Sequence, residues 1–134
     1  MKAQFQILEG NILHTDWDAG PITTPEVMEV MELMLVLMQL HGVTKYIDDI
    51  SRCQVDWKEA DIWIVGDWYE RALALGVVKN ALIVAPPENM GHVDNQCEIR
   101  SFNSLEDALV WIHEPLPTGW LQRLLGPLRK LWKP

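Results

Sequence analysis

Apolar and polar positions alternate over the first residues of the chain, and the period then lengthens. Gln4-Phe5-Gln6-Ile7-Leu8 and Asn11-Ile12-Leu13-His14-Thr15-Asp16-Trp17 predict two short strands around the turn Glu9-Gly10-Asn11, an antiparallel hairpin. Asp18-Ala19-Gly20-Pro21 breaks regular structure. A helix opens at Thr24 as cap with Pro25 in its first position, and runs to about Leu40 before a terminator at His41-Gly42. Its glutamates Glu26, Glu29 and Glu32 share one solvent face. Leu33 to Met38 is apolar all round, which predicts burial on more than one side.

Thr44 to Ile50 predicts the next strand. Asp56-Trp57-Lys58-Glu59 has the form of a capping box, opening a helix that ends at Gly76. The almost uniformly apolar run from Val77 to Ala85 predicts a central strand covered on both faces, closed by Pro86-Pro87. Glu88 to His92 has room for no more than one helical turn. Gln96 to Phe102 then predicts a strand, and Ser104 caps a helix from Leu105 to Ile112 with Glu106 and Asp107 in its first turn. Pro115 and Pro117 close the domain, giving an α/β body over 1–114 and a tail over 115–134.

Charge separates those two parts. All nineteen acidic residues precede residue 115 with seven Lys and Arg, a net −12, whereas the last twenty residues carry four cations and no acid. An acidic body argues against nucleic-acid binding, which needs cations gathered on one face. The longest apolar run is six residues, against the roughly 20 of a membrane span. No secretory pattern opens the sequence, so the expectation is a cytoplasmic protein with Cys53 and Cys97 reduced. Neither cysteine has a neighbouring Cys or His at ligand spacing, and Asp48-Asp49 alone is too few ligands, so no metal and no cofactor are expected. His14, His41, His92 and His113 sit in four separate elements, and no phosphate loop, GxSxG elbow or HExxH is present.

Three groups of residues are candidates for binding. Met28, Met31, Met34 and Met38 form one stripe of the first helix; such periodicity is first that of a core, with Met31, Met34 and Met38 as a pliable lining for an apolar ligand pocket in the alternative. Trp57 and Trp68, three turns apart, share a side of the second helix, with Trp63 pointing elsewhere, and offer contact area to a partner. In the tail, Trp120, Leu121, Leu124, Leu125, Leu128, Leu131 and Trp132 gather on one side of a helical segment, with Arg123 and Lys130 opposite and Gly126-Pro127 as a kink. Such a segment docks on an acidic surface, this body's own or a second copy's, or lies peripherally on an anionic membrane.

The order strand, strand, helix, strand, helix, strand, turn, strand, helix resembles the STAS-type fold of bacterial anti-sigma-factor antagonists. The pieces that carry the resemblance are Tyr46-Ile47-Asp48-Asp49-Ile50, Ala81-Leu82-Ile83-Val84-Ala85, and Ile99-Arg100-Ser101-Phe102 followed by Leu105-Glu106-Asp107-Ala108-Leu109-Val110-Trp111-Ile112. The resemblance implies a single-domain mixed sheet of about five strands with three main helices, here followed by the amphipathic segment. It also implies a non-catalytic regulatory or scaffold module that binds a protein partner. Antagonists of this type carry a phosphorylatable Ser after an Asp where the second helix begins; here Asp56 is followed by Trp57-Lys58-Glu59, so the switch hydroxyl is missing. The expectation is therefore a partner-binding protein, homodimeric through the Trp-bearing helix and the tail; the alternative is a small-molecule or lipid binder with a pocket beside the Met-rich helix.

Overall fold

The computed structural model describes residues 1–86, 92–94 and 97–115. Strand β1 (Ala3–Leu8) and strand β2 (Ile12–Trp17) form the expected hairpin, antiparallel with Ala3 opposite Trp17 and Leu8 opposite Ile12. Its turn uses two left-handed residues, Gly10 (φ 89°) and Asn11 (φ 57°), the two residue types that enter this region most easily. A two-residue strand β3 (Gly20–Pro21) precedes helix α1 (Thr24–His41). The cap of α1 is Thr23, one residue earlier than expected: its hydroxyl accepts from Glu26 N–H while the Glu26 carboxylate accepts from Thr23 N–H, closing a reciprocal box. Gly42 (φ 62°) ends the helix as expected.

Strand β4 (Lys45–Asp49) follows, then a short β5 (Cys53–Gln54) and a long helical segment in three parts. These are α2 (Trp57–Trp63), a π-helical turn over Ile64–Trp68, and α3 (Tyr69–Ala74). Strand β6 (Lys79–Ile83), a short β7 (His92–Asp94), β8 (Glu98–Phe102) and helix α4 (Leu105–His113) complete the fold. The main sheet has the order β1-β2-β4-β6-β8-β7, with β2, β4, β6 and β8 mutually parallel and the two edge strands antiparallel. Five strands match the sequence reading. β7 is an addition, as is the parallel pair β3 and β5, which ties the entry of α1 to the entry of α2.

The sheet divides two cores. On one face Leu13, Trp17 and Tyr46 pack with Val27, Val30, Met31, Met34 and Met38 of α1 and with Ala60, Trp68 and Ala72. On the other, Ile12, Ile47, Ala81 and Ile83 meet Ala108, Trp111 and Ile112 of α4. Successive residues of a strand face opposite ways, so Tyr46 and Ile47 serve different cores. The expectation that α1 is enclosed on several sides is corrected: Val36 and Leu40 are exposed, because among the described residues α1 packs against the sheet and the α2 segment on one side.

One buried charge holds the second core. Lys79, 1% exposed, donates from Nζ to Trp111 O (2.7 Å) and Glu114 O (2.8 Å), with the ammonium 4.4 Å from the Trp111 ring centre. The cation thus satisfies carbonyls at the carboxyl end of α4, where the helix dipole favours positive charge. Burial pulls the Lys79 pKa down, with Lys45 adding to this, while Glu98 and Glu114 oppose. Lys79→Met, which keeps the aliphatic stem but removes the donors, is expected to cost about 2 kcal/mol in urea unfolding and to speed hydrogen exchange in the last turn of α4. An unchanged midpoint and unchanged exchange would show that the ammonium does not hold the helix end.

Candidate functional site

The parallel strands β2, β4 and β6 end at one edge of the sheet, where loops leave for the helices. This is the edge at which open α/β sheets form their ligand crevices. β4 delivers Asp48 and Asp49 there, one to each face. Asp48 is 6% exposed and accepts from the Trp17 indole N–H (3.2 Å). Thr15 stands opposite it on β2, its hydroxyl buried without a hydrogen-bond partner among the described residues. Burial pushes the Asp48 pKa up to about 7; the Trp17 bond works against that shift, and the neighbouring Asp49 adds to it.

Asp49 shapes the loop instead. One of its oxygens accepts from both Ser51 N–H (3.1 Å) and Ser51 Oγ–H (2.6 Å), the geometry of a side-chain-closed turn. Arg52 reaches back to Asp16 at 3.1 Å. The half-buried Cys53 thiol contacts Ile50 O, and burial raises its pKa to about 11, so it is a poor nucleophile at neutral pH. Asp56 then caps α2, accepting from Glu59 N–H. No group of three or more His, Cys, Asp or Glu side chains among the described residues is placed to hold a metal ion.

The outer side of the α2 segment is the more distinctive surface. Ile62 and Val65 stand 78% and 71% exposed, beside exposed Glu59, Asp61, Asp67 and Glu70. The π turn explains the arrangement. It widens the helix after Trp63, and Trp68 then points inward with 0% exposure, its indole N–H donating to Met31 O at 2.7 Å and its ring edge-on to Tyr46. Arg71 bridges Glu32 of α1 (2.9 Å) and Asp67 (2.7 Å), and lies over the Trp63 ring.

The expected partner residues separate on this structure. Trp68 is a correction: it is fully buried and fixes the helix, so it offers no surface. Trp57 is half-buried and meets Trp17 edge-on at 6.5 Å, leaving part of its ring outside. Trp120, Leu124, Leu128, Leu131 and Trp132 lie outside the described residues. Met31, Met34 and Met38 are given to the core, at 4%, 0% and 1% exposure, so a ligand beside them would have to displace packed side chains. A crevice of about 260 Å³ lies elsewhere, lined by Met1, Lys2, Asp18, Glu26 and Glu29. Ile62 and Val65 were missed, although four consecutive apolar residues, Ile62 to Val65, on one helix cannot all face a core.

Comparison with known proteins agrees with this architecture. The structure of the anti-sigma factor antagonist SpoIIAA in its unphosphorylated form superposes with a TM-score of 0.55 at 10% sequence identity, over 81% of this chain and 94% of that one. The fold is STAS-like. An uncharacterised DUF3478-family protein with a SpoIIAA-like fold, from Shewanella loihica PV-4, matches with a TM-score of 0.48 at 13% identity, over 82% of this chain and 91% of that one. No protein-family model matches the sequence, and no curated protein matches it. No described helix is long and apolar enough to cross a membrane.

The buried acid makes stability depend on pH. With its folded pKa near 7 and an unfolded value near 3.8, Asp48 binds its proton more tightly in the folded state. Its contribution is therefore favourable at low pH and is lost as pH rises from about 4 to about 7, by about 4 kcal/mol. Asp48→Asn keeps an oxygen for the Trp17 N–H and removes the titration. The variant should match the native protein at pH 3 in chemical unfolding and exceed it at pH 8; equal stability at both pH values would mean that Asp48 ionises freely.

Proposed function

We propose that this protein is a non-catalytic regulatory or scaffold module of the cytoplasm, binding a protein partner through the outer face of α2 and its π turn. The observation that carries the reading is the pair Ile62 and Val65, held outward on a helix whose inward residues are locked by Trp68 and Arg71. Scattered exposed apolar residues are ordinary, but a fixed pair next to the half-buried Trp57 gives a partner a rigid anchor. The STAS-like fold supports a regulatory role, since a solved protein of this fold is an anti-sigma factor antagonist. The missing hydroxyl after Asp56 separates the present chain from a switch at that position.

The acidic rim sets the chemistry of the partner. Glu59, Asp61, Asp67 and Glu70 outnumber Lys58, so a basic amphipathic segment is the complementary ligand. Residues 116–134 have that composition: Trp120, Leu124, Leu128, Leu131 and Trp132 with Arg123, Arg129, Lys130 and Lys133. The tail thus serves as an internal ligand, from the same chain or a second copy, that an outside partner displaces.

A fluorescein-labelled peptide of residues 116–134, titrated against the full chain by anisotropy, tests the reading. Binding is expected to weaken about tenfold in the Ile62→Asp, Val65→Asp double variant, and to weaken with salt. Full chain carrying Leu124→Asp and Leu128→Asp, whose own tail no longer competes, should bind the peptide more tightly. Equal affinity in the native chain and the Ile62/Val65 variant would remove this face from the function.

A further inference from the structure

The two edges of the sheet differ in a way that points to a second copy of the chain. β7 is three residues long, whereas β1 is six, Ala3-Gln4-Phe5-Gln6-Ile7-Leu8, without proline, charge or bulge, its register with β2 unbroken from Ala3 to Leu8. Sheet edges left open are usually blunted by one of those devices. Among the described residues no strand pairs with the outer side of β1.

The direction of its peptide groups follows from one hydrogen bond. Asp18 N–H donates to Lys2 O at 2.9 Å, and the β1–β2 register places these two residues directly opposite one another. They form a narrow, hydrogen-bonded pair, and such pairs alternate along an antiparallel ladder. Gln4, Gln6 and Leu8 therefore also bond toward β2, and Ala3, Phe5 and Ile7 present their N–H and C=O groups to the open edge.

We propose that β1 pairs antiparallel with β1 of a second copy about a two-fold axis at Phe5, joining the two main sheets into one. In this register Phe5 faces Phe5, and Ala3 faces Ile7 on either side. All three outward residues then sit in narrow pairs, which gives about six interchain hydrogen bonds. Side chains match as well: Ala3, a buried member of the first core, and the half-buried Phe5 and Ile7 lie on the α1 face, while exposed Gln4 meets exposed Gln6 on the other face. A symmetric register centred on Gln6 sets Gln4 against Leu8 and runs into the turn at Glu9 after about four bonds, and one centred on Gln4 likewise gives about four. Charge agrees with the antiparallel arrangement, because the uncharged strand is flanked by Lys2 and Glu9, and the two-fold brings the Lys2 end of one copy to the Glu9 end of the other. The dimer is independent of the helical face assigned above, which stays open to a partner.

Sedimentation equilibrium of the full chain over a concentration series tests the pairing. Native protein should approach twice the 15.4 kDa of the chain. Gln4→Lys with Gln6→Lys sets like charges opposite each other at both Gln4–Gln6 pairs and should give a monomer with unchanged circular dichroism. Gln4→Lys with Gln6→Glu sets opposite charges there and should restore the dimer; in the Gln6-centred register it would instead place Glu against Glu and would not. A native monomer at every concentration overturns the proposal, and so does a dimer indifferent to the double-lysine variant.

Discussion

The hydrogen bond from the Trp68 indole to the Met31 carbonyl is the contact on which the arrangement of the helical layer depends. A buried N–H without an acceptor is costly, and Trp68 can be sealed in the core only if its donor finds one. The acceptor lies on α1, so satisfying it fixes the rotation of one helix against the other. The π turn is the local adjustment that lets a continuous helix meet this demand. With the rotation set, Arg71 meets Glu32 and covers Trp63, and Ile62 and Val65 have no inward position left. Their exposure follows from the core.

Two buried ionisable residues, Lys79 and Asp48, occupy opposite ends and opposite faces of the sheet. Lys79 begins β6 on the α4 side and is compensated by two helix-end carbonyls and an aromatic face. Asp48 lies near the end of β4 on the other side, with one indole donor for a group that burial would rather keep neutral. The first is a well-satisfied anchor. The second leaves the carboxyl edge, and the loop leading to α2, sensitive to pH in the neutral range.

Much of this fold is legible in the sequence where the signal is local. Gly10-Asn11, Gly42, Asp56 and Ser104 mark turns and caps by their own side-chain and backbone chemistry, and the apolar run ending at Ala85 marks a doubly covered strand. What escaped depends on strand pairing and on contacts between elements. β3 with β5 and β7 with β8 are stabilised by pairing rather than by composition. The inward turn of Trp68 depends on a π turn that helical periodicity does not encode, so a spacing argument that set Trp57 and Trp68 on one side could not decide that Trp68 belongs to the core. The Met stripe was ambiguous for the same reason: its periodicity is that of a core and of a pocket alike, and only the closeness of the packing separates them.

The account stands on Trp68 being a locked element of the core rather than a mobile surface residue. Hydrogen exchange of the tryptophan indole N–H groups, followed by NMR across low denaturant concentrations, tests this directly. Trp68 should exchange only through global unfolding, with the same denaturant dependence as the whole protein, while the indoles of Trp57 and Trp63 exchange through local fluctuations. Exchange of the Trp68 indole that is fast and indifferent to denaturant would contradict the locked helix, and with it the reason that Ile62 and Val65 face outward.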